Sequence, residues 1–483
     1  MTFEHNKTND ILKLFEQLSQ IPRCSGNEKA IRNWVINLAK ENHFDAKTDN
    51  TGNVLIKVPA SSGYENSPIV VLQGHLDMVC EKTPDSNHDF SKDPIKFIYD
   101  GEWLTADKTT LGADNGIGVA IAMALALDKE LSHPPLELLF TVEEETGLVG
   151  ASALEPAFID GKILINLDGG GEGNFIIGCA GGLNSYISVP VEWAEVPSPY
   201  YQLMKIKAGG MKGGHSGIDI NAQRANAIKV LARTLYFITQ QVDIQLTHIS
   251  GGTAHNAIPR DSEAVVFVPE NQIEMFKTKV LEAEKTLKAE YQNTEPDLFI
   301  KVEATEKTSD QAITLEDTYT VIDFLQVLPH GVAAMSTEIE GLVESSTNLA
   351  KITLKNGQLK VLTSQRSSVE SRLEALTYQI EAAARLVGAK AHSDTRYPAW
   401  QPNMASPLLA KSRQIYKELF DKEPVVKALH AGLESGIIGQ KIPGMDMISI
   451  GPTNENLHSP DERLHIGTVG RIWDFMVALL KVR

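Results

Sequence analysis

The chain has 483 residues, of which 42% are hydrophobic and 22% charged, and its formal net charge at pH 7 is -17. Such a length predicts two or three domains, each able to bury its own core, and the composition is typical of a soluble globular protein rather than a disordered or fibrous one. The negative charge would repel phosphate backbones and anionic lipid surfaces, so nucleic acid and membrane are disfavoured as partners.

The N-terminal segment and the cysteines favour a cytoplasmic protein. The segment carries early acidic and polar residues and lacks the apolar core of a signal peptide. The longest apolar stretch, residues 119–127, is about half of the ~20 residues needed to cross a bilayer. Cys24, Cys80 and Cys179 form no CxxC pair, so neither a thiolate zinc site nor a disulfide framework is predicted. Cys80 is interpreted as a small buried core residue.

The first part of the chain, up to about residue 181, alternates amphipathic helical stretches with short apolar runs. This is the pattern of a sheet covered by helices. Helices are predicted over 27–42 and 115–130. Short, continuous runs rich in β-branched residues are typical of buried strands, and they occupy residues 68–74, 136–142 and 162–168.

From about residue 184 the pattern changes to longer alternating strands interleaved with helices, which indicates a second domain. A hairpin is predicted over 349–365, with an Asn-Gly turn, followed by a helix over 368–388. After Pro398 the earlier pattern returns, with a helix over 406–422 and two apolar strands.

If those last strands rejoin the first sheet, the second domain is an insertion of ~210 residues, far longer than a loop. The predicted fold is therefore α/β: a domain with a mostly parallel, helix-covered sheet, interrupted by an inserted α+β domain. The predicted boundaries are 1–183 and 398–483 for the first domain and 184–397 for the insertion.

Potential metal ligands follow the predicted strands, each in a glycine-punctuated motif. They are two histidines and three acids: His75, Asp114, Glu145, Asp168 and His458. Ligands bind at the carboxyl ends of strands in open α/β sheets, and this set of nitrogen and carboxylate donors has the composition of a paired-metal hydrolytic site. The pattern indicates an enzyme that activates water.

The two N-terminal motifs each allow a structural alternative. In GHLDMV, His75 and Asp77 are two residues apart and share one face of a strand, so Asp77 can hold one imidazole nitrogen while the other binds metal. A structural histidine would show the same triplet. In LGADNGIG, Asp114 precedes a predicted helix and is equally suited to cap it or to bridge two metals.

The other three motifs follow apolar strands. In TVEEETG one acid can bind metal while its neighbour Glu144 accepts a proton from water, although runs of acids are usually solvated. Asp168 in NLDGGGEG is a ligand or a turn residue, and His458, in a polar loop, is a ligand or a surface residue. Recurrence of such motifs at successive strand ends favours the ligand reading for the whole set.

The ordered motifs resemble those of the M20 metallopeptidases, in particular the aminoacyl-histidine (Xaa-His) dipeptidase branch. The resemblance covers nearly the whole chain and is carried by IPRCSGNE (21–28), GHLDMVCEK, LGADNGIG, EEETGLVGA, NLDGG, HAGLESG (430–436) and GPTNENLHSPDERL (451–464).

The resemblance implies a centre of two Zn²⁺ ions per chain, with Co²⁺ or Mn²⁺ as possible substitutes. In this assignment His75 and Asp168 hold one ion, Glu145 and His458 hold the other, and Asp114 bridges both. It also implies a small dipeptide as substrate and a possible homodimer formed through the inserted lid domain.

The resemblance further implies catalytic roles for Asp77, which orients His75, for Glu144 as general base, and for His215, which polarises the scissile carbonyl. A metal-bridging hydroxide would attack the peptide bond. Glu143, the remaining acid of the run, is assigned no chemistry.

Substrate-binding residues are carried over from the same resemblance. Asn256 in GGTAHNAIPR and Arg366 in SQRSS are assigned to substrate, the latter to its carboxylate, because guanidinium and carboxylate pair bidentately. Gly432, Glu434 and Ser435 match a loop of the substrate pocket. The alternatives are an aminoacylase or tripeptidase on the same scaffold and, more remotely, a non-catalytic metal or peptide binder.

Overall fold

The structure is a computed structural model that describes residues 5–196, 200–306 and 310–481. The helices are α1 (Asn6–Ser19), α2 (Lys29–Glu41), α3 (Ala113–Leu127), α4 (Val149–Ala153), α5 (Ala227–Thr239), α6 (Ile273–Tyr291), α7 (Leu315–Val327), α8 (Glu370–Leu386), α9 (Pro407–Phe420), α10 (Glu434–Lys441) and α11 (Ile466–Leu480).

The strands are β1 (Asp45–Thr48), β2 (Val54–Val58), β3 (Val70–His75), β4 (Phe97–Asp100), β5 (Trp103–Ala106), β6 (Leu136–Thr141), β7 (Ile163–Asn166), β8 (Asn174–Cys179), β9 (Gly181–Pro190), β10 (Trp193–Glu195), β11 (Tyr201–Gly209), β12 (Gly214–His215), β13 (Gln245–Gly251), β14 (Ala257–Ile258), β15 (Ser262–Pro269), β16 (Phe299–Ala304), β17 (Gln311–Ile313), β18 (Gly331–Met335), β19 (Val343–Lys355), β20 (Gln358–Ser367), β21 (Lys390–Tyr397), β22 (Val425–Leu429), β23 (Asp446–Ser449), β24 (Asn454–Glu455) and β25 (Arg463–His465).

The chain divides into two compact units. The first comprises the chain up to Cys179, Trp400–Leu429 and the part from Leu433 onwards, and the second comprises Ala180–Ala399 and His430–Gly432. The first unit contains an eight-stranded sheet in the order β1-β2-β6-β3-β7-β23-β8-β22. The C-terminal strands β22 and β23 therefore rejoin the sheet formed by the N-terminal part of the chain, as the return of the sequence pattern predicts.

Strands β6, β3, β7 and β23 run parallel to one another in the middle of this sheet. Every residue of β3 and β6 is buried, because both faces of the central strands are covered. Helix α3 packs against β3 and is apolar on nearly all sides, with only its ends less buried. The result confirms the predicted mostly parallel, helix-covered sheet.

The second unit contains a nine-stranded sheet. Eight of its strands follow the order β16-β11-β15-β13-β19-β20-β9-β21, and the ninth, β18, pairs with β19. Its pairs are antiparallel, and helices α5 to α8 pack with it around one apolar core. The predicted hairpin is β19–β20, where Lys355 pairs with Gln358 and Asn356 and Gly357 both have positive φ. This confirms the Asn-Gly turn and the α+β class of the insertion.

The interpretation of the cysteines as unpaired is wrong. Cys24 and Cys80 form a disulfide across 56 residues, and Cys80 is half-buried rather than a core residue. The two segments run side by side because the backbone at Cys24 forms a β-bridge with Met78. That proximity arises from tertiary pairing, which spacing along the chain does not reveal. Cys179 is a buried free thiol.

Within the described residues, no helix combines the length and apolar character needed to cross a membrane.

Candidate active site

Neighbouring parallel strands of the first unit end at one edge of the sheet and place the candidate ligands there. His75 at the end of β3 lies beside Thr141 at the end of β6, and β7 pairs with β3 on its other side. The run containing Glu145 follows β6, and Asp168 follows β7. The sheet register therefore brings His75, Glu145 and Asp168 to one edge, as predicted. The prediction is wrong for Asp114, which lies at the start of α3, and His458 lies in the loop after β24, outside the eight-stranded sheet.

His75 is buried, with 1% of its surface exposed, and both ring nitrogens face acids. Its Nε2 lies 3.0 Å from Asp114 Oδ1 and 3.8 Å from Asp168 Oδ1. Its Nδ1 lies 3.4 Å from Asp77 Oδ1. Burial alone would lower the pKa of His75, but the contacts with Asp114 and Asp77 outweigh it and raise that pKa well above its usual value.

His458 approaches the same acid from the opposite side of the cluster. Its Nε2 lies 3.3 Å from Asp114 Oδ2 and 3.1 Å from Glu145 Oε2. Contacts with these two carboxylates raise the pKa of His458 to about 10. The two oxygens of Asp114 therefore face two different imidazoles, each accompanied by a further carboxylate.

Asp114 is not a helix cap. The start of helix α3 is kinked, with non-helical backbone angles at Asp114 and Asn115, and the hydrogen bonds of the Asp114 carboxylate go to His75 and His458 rather than to the first turn of the helix. The structure thereby removes the capping alternative and leaves the carboxylate directed at His75 and His458.

The donor atoms fit divalent cations. Three groups of ligand atoms, each within 4.8 Å, are His75, Asp114 and Asp168; Asp114, Glu145 and His458; and His75, Glu144 and Glu145. Imidazole nitrogen and carboxylate oxygen are the donors that suit zinc, cobalt and manganese. In addition, Glu145 Oε1 is buried and has no hydrogen-bond partner among the described residues, a vacancy that a cation would fill.

Asp77 connects His75 with the acidic run. Its carboxylate accepts hydrogen bonds from the backbone N–H groups of Glu144 and Glu145, at 3.1 and 3.2 Å, and from the hydroxyl of Ser25 at 2.8 Å. The contact with His75, followed by the hydrogen bonds from Ser25 and Glu144, outweighs burial and lowers the pKa of Asp77 to about 2. Asp77 therefore orients the imidazole and also fixes the peptide that carries both glutamates.

The remaining acids differ sharply in their affinity for protons. Burial raises the pKa of Glu144 to about 8, against the opposing charge of His75. Burial and the charge of Asp114 raise the pKa of Asp168 well above its usual value. For Asp114, hydrogen bonds with His458 and His75 outweigh burial and hold its pKa far below its usual range. Asp114 thus stays ionised between the histidines, while burial makes Glu144 more basic than an ordinary carboxylate.

Glu434 and Ser435 are buried in the first unit at the start of α10. The carboxylate of Glu434 accepts hydrogen bonds at 2.7 Å from Gln73 Nε2 and from Thr141 Oγ1. Gln73 and Thr141 lie on the strands that carry His75 and the acidic run, so Glu434 is placed to support these strand ends. These contacts fit a supporting role better than contact with substrate.

His215 lies in the second unit on the short strand β12, where it pairs with Ala257 of β14. Its Nδ1 accepts the backbone N–H groups of Gly217 and Ile218, both at 3.2 Å. In the neutral ring the proton is therefore on Nε2, which is left to act as a donor. Burial and the nearby charge of Arg366 lower the pKa of His215, which favours this neutral form.

Arg366 is 7% exposed, and its positive charge contributes to lowering the pKa values of His215, His255 and His430 in the same unit. Its Nη1 donates to Tyr397 Oη at 2.6 Å, its Nε has no hydrogen-bond partner, and it forms no ion pair within the described part of the chain. A nearly buried guanidinium without a counter-charge is suited to bind an anion. Asn256 is half-buried, and its carbonyl accepts the backbone N–H of Ser216.

His430 is a residue of this unit that the sequence analysis did not single out. Its Nε2 lies 2.7 Å from Ser346 Oγ, and burial followed by the charge of Arg366 lowers its pKa to about 3. It opens the motif HAGLESG and stands two residues before the half-buried Gly432. The signal in the sequence that could have pointed to His430 is its position as the first residue of the motif HAGLESG.

Comparisons with known proteins identify the family to which the chain belongs. The model of "Peptidase family M20/M25/M40" matches residues 71–482. The chain is 38% identical to "Cytosol non-specific dipeptidase" of Escherichia coli strain K12 over 468 residues, which are 97% of this chain and 96% of the relative.

Solved structures show the same relationship. An aminoacylhistidine dipeptidase from Vibrio alginolyticus superposes with a TM-score of 0.91 at 38% identity, covering 98% of this chain and 96% of that one. Aminopeptidase PepT from Bacillus cereus shares the fold at a TM-score of 0.57 and 15% identity, over 98% of both chains. These matches confirm the resemblance carried by the strand-end motifs: the chain belongs to peptidase family M20/M25/M40.

Proposed function

We propose that this protein is a metallo-dipeptidase that hydrolyses Xaa-His dipeptides, including β-Ala-His, at a centre of two Zn²⁺ ions. The observation that carries the proposal is Asp114, whose two carboxylate oxygens face His75 and His458 separately. A carboxylate shared between two ligand sets is what a paired-metal centre requires. The preference for histidine is supported by the name of the structurally similar Vibrio alginolyticus enzyme.

In the proposed centre His75 and Asp168 would hold one ion, Glu145 and His458 would hold the other, and Asp114 would be shared by both. When bound, such ions lower the pKa of a water molecule and polarise the scissile carbonyl. Asp77 keeps the His75 ring in the orientation that directs Nε2 towards Asp114 and Asp168. Co²⁺ and Mn²⁺ suit the same donors.

Glu144 acts as the general base and then as the general acid. Burial makes its carboxylate a strong proton acceptor, and its backbone is fixed by Asp77. It takes a proton from the attacking water and returns it to the leaving amine.

In the second unit, the Nε2–H of His215 donates to the oxygen of the scissile carbonyl as negative charge develops there. One positioned donor of this kind contributes about 2.7 to 4 kcal/mol to transition-state stabilisation. Arg366 binds the substrate carboxylate, and Asn256 and Gly432 are further substrate-binding residues of this unit. Support for these roles comes from the tautomer of His215 and from the unpaired guanidinium.

The substrate class is tested by chelating the protein and restoring activity with Zn²⁺ or Co²⁺. Hydrolysis is measured on β-Ala-His, other Xaa-His dipeptides, tripeptides and N-acetyl amino acids. We expect metal-dependent turnover with the highest kcat/KM on Xaa-His. A preference for tripeptides or N-acetyl amino acids would assign the chain to a tripeptidase or an aminoacylase, and zinc binding without any hydrolysis would indicate a non-catalytic binder.

The role of Glu144 is tested by Glu144→Gln, with Glu143→Gln as the matched control in the same acidic run. We expect the first variant to keep its metal and lose nearly all turnover, since glutamine cannot accept the proton of the attacking water, and the control to stay close to the wild type. Normal hydrolysis by Glu144→Gln with metal intact would exclude Glu144 as the base.

The proposal also includes a cytoplasmic location, as in the name of the Escherichia coli relative, and a homodimer. Analytical ultracentrifugation of the purified protein tests whether it is a homodimer. A single monomeric species at assay concentration would reject the dimer.

A further inference from the structure

Glu462 has an unusual hydrogen-bonding arrangement. Its side chain is buried, and its carboxylate accepts four consecutive backbone N–H groups. Oε2 accepts those of Leu111 and Gly112, at 2.7 and 2.9 Å, and Oε1 accepts those of Ala113 and Asp114, at 2.8 and 3.2 Å. One side chain therefore fixes the whole backbone segment that ends at Asp114.

Glu462 also belongs to the loop that carries His458. This loop is folded on itself: Ser459 Oγ donates to the carbonyl of Asn456, and Ser459 Oγ and the Ser459 carbonyl accept the backbone N–H groups of Asp461 and Glu462. His458 itself has a positive φ of 61°, which the surrounding loop must maintain. Because His458 and Glu462 belong to the same internally hydrogen-bonded loop, this loop holds them at a fixed relative position.

The segment before Asp114 is held from its other side by Arg23. This buried guanidinium donates to the carbonyl of Gly112 and to those of Leu76 and Asp77. Gly112 has a φ of +69°, and a Cβ there would lie 2.5 Å from Arg23 Nη2, so the segment has no room to shift towards the guanidinium. It is clamped between Arg23 and Glu462.

We infer that Glu462 is a positioning residue for the metal centre, which sets the separation between the Asp114 carboxylate and the His458 imidazole. The inference rests on the proposed function. Asp114 is shared by both proposed ligand sets, but His458, which the Glu462 loop also positions, belongs to only one of them. The other set is completed by His75 at the end of β3 and by Asp168 after β7, which do not belong to this loop. Loss of the Glu462 carboxylate should therefore weaken the metal position that includes His458 much more than the other.

The test is metal binding by the apo-protein, measured by titrating Zn²⁺ against a competing chelator and by the absorption spectrum of bound Co²⁺. Changes to residues that orient metal ligands typically lower metal affinity by about 10- to 100-fold. For Glu462→Gln we expect the second equivalent to bind at least about tenfold more weakly, with the first within about threefold of the wild type. Excess metal should restore most of the turnover.

The matched control is Glu137→Gln. Glu137 is also a buried carboxylate of the first unit, and its Oε2 accepts the backbone N–H groups of Asp160 and Gly161, both at 2.9 Å, but it touches no candidate ligand. We expect this control to bind both equivalents like the wild type. Glu462→Asp keeps the charge on a shorter side chain and should recover part of the lost metal affinity. If Glu462→Gln does not fold, the same metal titration is made on Glu462→Asp.

Wild-type affinity for both equivalents in the Glu462 variants would overturn the inference, whatever their thermal stability. Equal weakening of both equivalents, or the same loss in Glu137→Gln, would overturn it in favour of a general structural role. If the wild-type protein itself binds fewer than two ions, the proposed paired centre fails. The number of ions bound is measured on the wild-type protein alone, so failure of the paired centre can be distinguished from failure of the Glu462 inference.

Discussion

Arg366 offers a sharp test of how the substrate is recognised. Its guanidinium is nearly buried in the second unit, is bonded to Tyr397 through Nη1, and forms no ion pair with a carboxylate within the described residues. The protein therefore maintains a desolvated positive charge that a substrate carboxylate would neutralise. Arg366→Met removes this charge while keeping a side chain of similar length.

The expected loss follows from the bonds that Arg366 can make. With Nη1 committed to Tyr397 and Nε lacking a partner, the substrate gains at least one charge-assisted hydrogen bond. Such a bond contributes about 1.5 to 3 kcal/mol, which corresponds to about 10- to 150-fold in kcat/KM. Because the charge of Arg366 also lowers the pKa of His215, the variant should show a raised pKa for that histidine.

The assay compares β-Ala-His with its C-terminal amide, which lacks the carboxylate. The wild type should prefer the acid strongly, and Arg366→Met should lose that preference while hydrolysing the amide about as well as the wild type does. Arg372→Met, at an exposed arginine of the same unit that pairs with Glu344, is the matched control. A preference for the acid that is unchanged in a folded Arg366→Met protein would refute the assignment.

Three further outcomes are expected. Reduction of the Cys24–Cys80 disulfide, or Cys80→Ser, should lower the free energy of unfolding by about 4 kcal/mol, because the bond closes a loop of 56 residues; an unchanged urea midpoint in the presence of reductant would contradict this. His215→Gln should fold and bind metal normally but lower kcat about 100-fold or more, and an unchanged kcat would remove the proposed donor. Burial and then the charge of Lys229 lower the pKa of His330 to about 3. The folded state therefore binds fewer protons than the unfolded state between pH 6.5 and 3, and the free energy of unfolding falls as the pH decreases through this window. Acid titration of His330→Asn should show a smaller fall in stability, and an identical fall would contradict the reasoning.

Much of the first unit could be predicted from local sequence. The runs that form β3, β6 and β7 are short, continuous and apolar because these strands are buried on both faces, and this signal needs no knowledge of their neighbours. Likewise the Asn356–Gly357 turn required a positive φ at both positions, which favours these two residues. Motifs placed after such strands could be expected to meet, since parallel strands end at one edge.

Other features could not be predicted, because they depend on segments that are distant along the chain. The Cys24–Cys80 disulfide follows from the pairing of Cys24 with Met78. The second role of Asp77, fixing the backbone of the acidic run, required that run to lie beside it, and the strand periodicity of two revealed only the relation of Asp77 to His75.

The sequence by itself determined the fold class, the donor chemistry and the family, because each is encoded in residue types within short windows whose order is preserved along the chain. Only the tertiary structure revealed that the two oxygens of Asp114 face different histidines, that burial raises the pKa of Glu144, and that Glu462 fixes the backbone at Asp114. These properties are distances and burial, and they arise when β-strand register and loop closure bring together residues as far apart as Asp114 and His458.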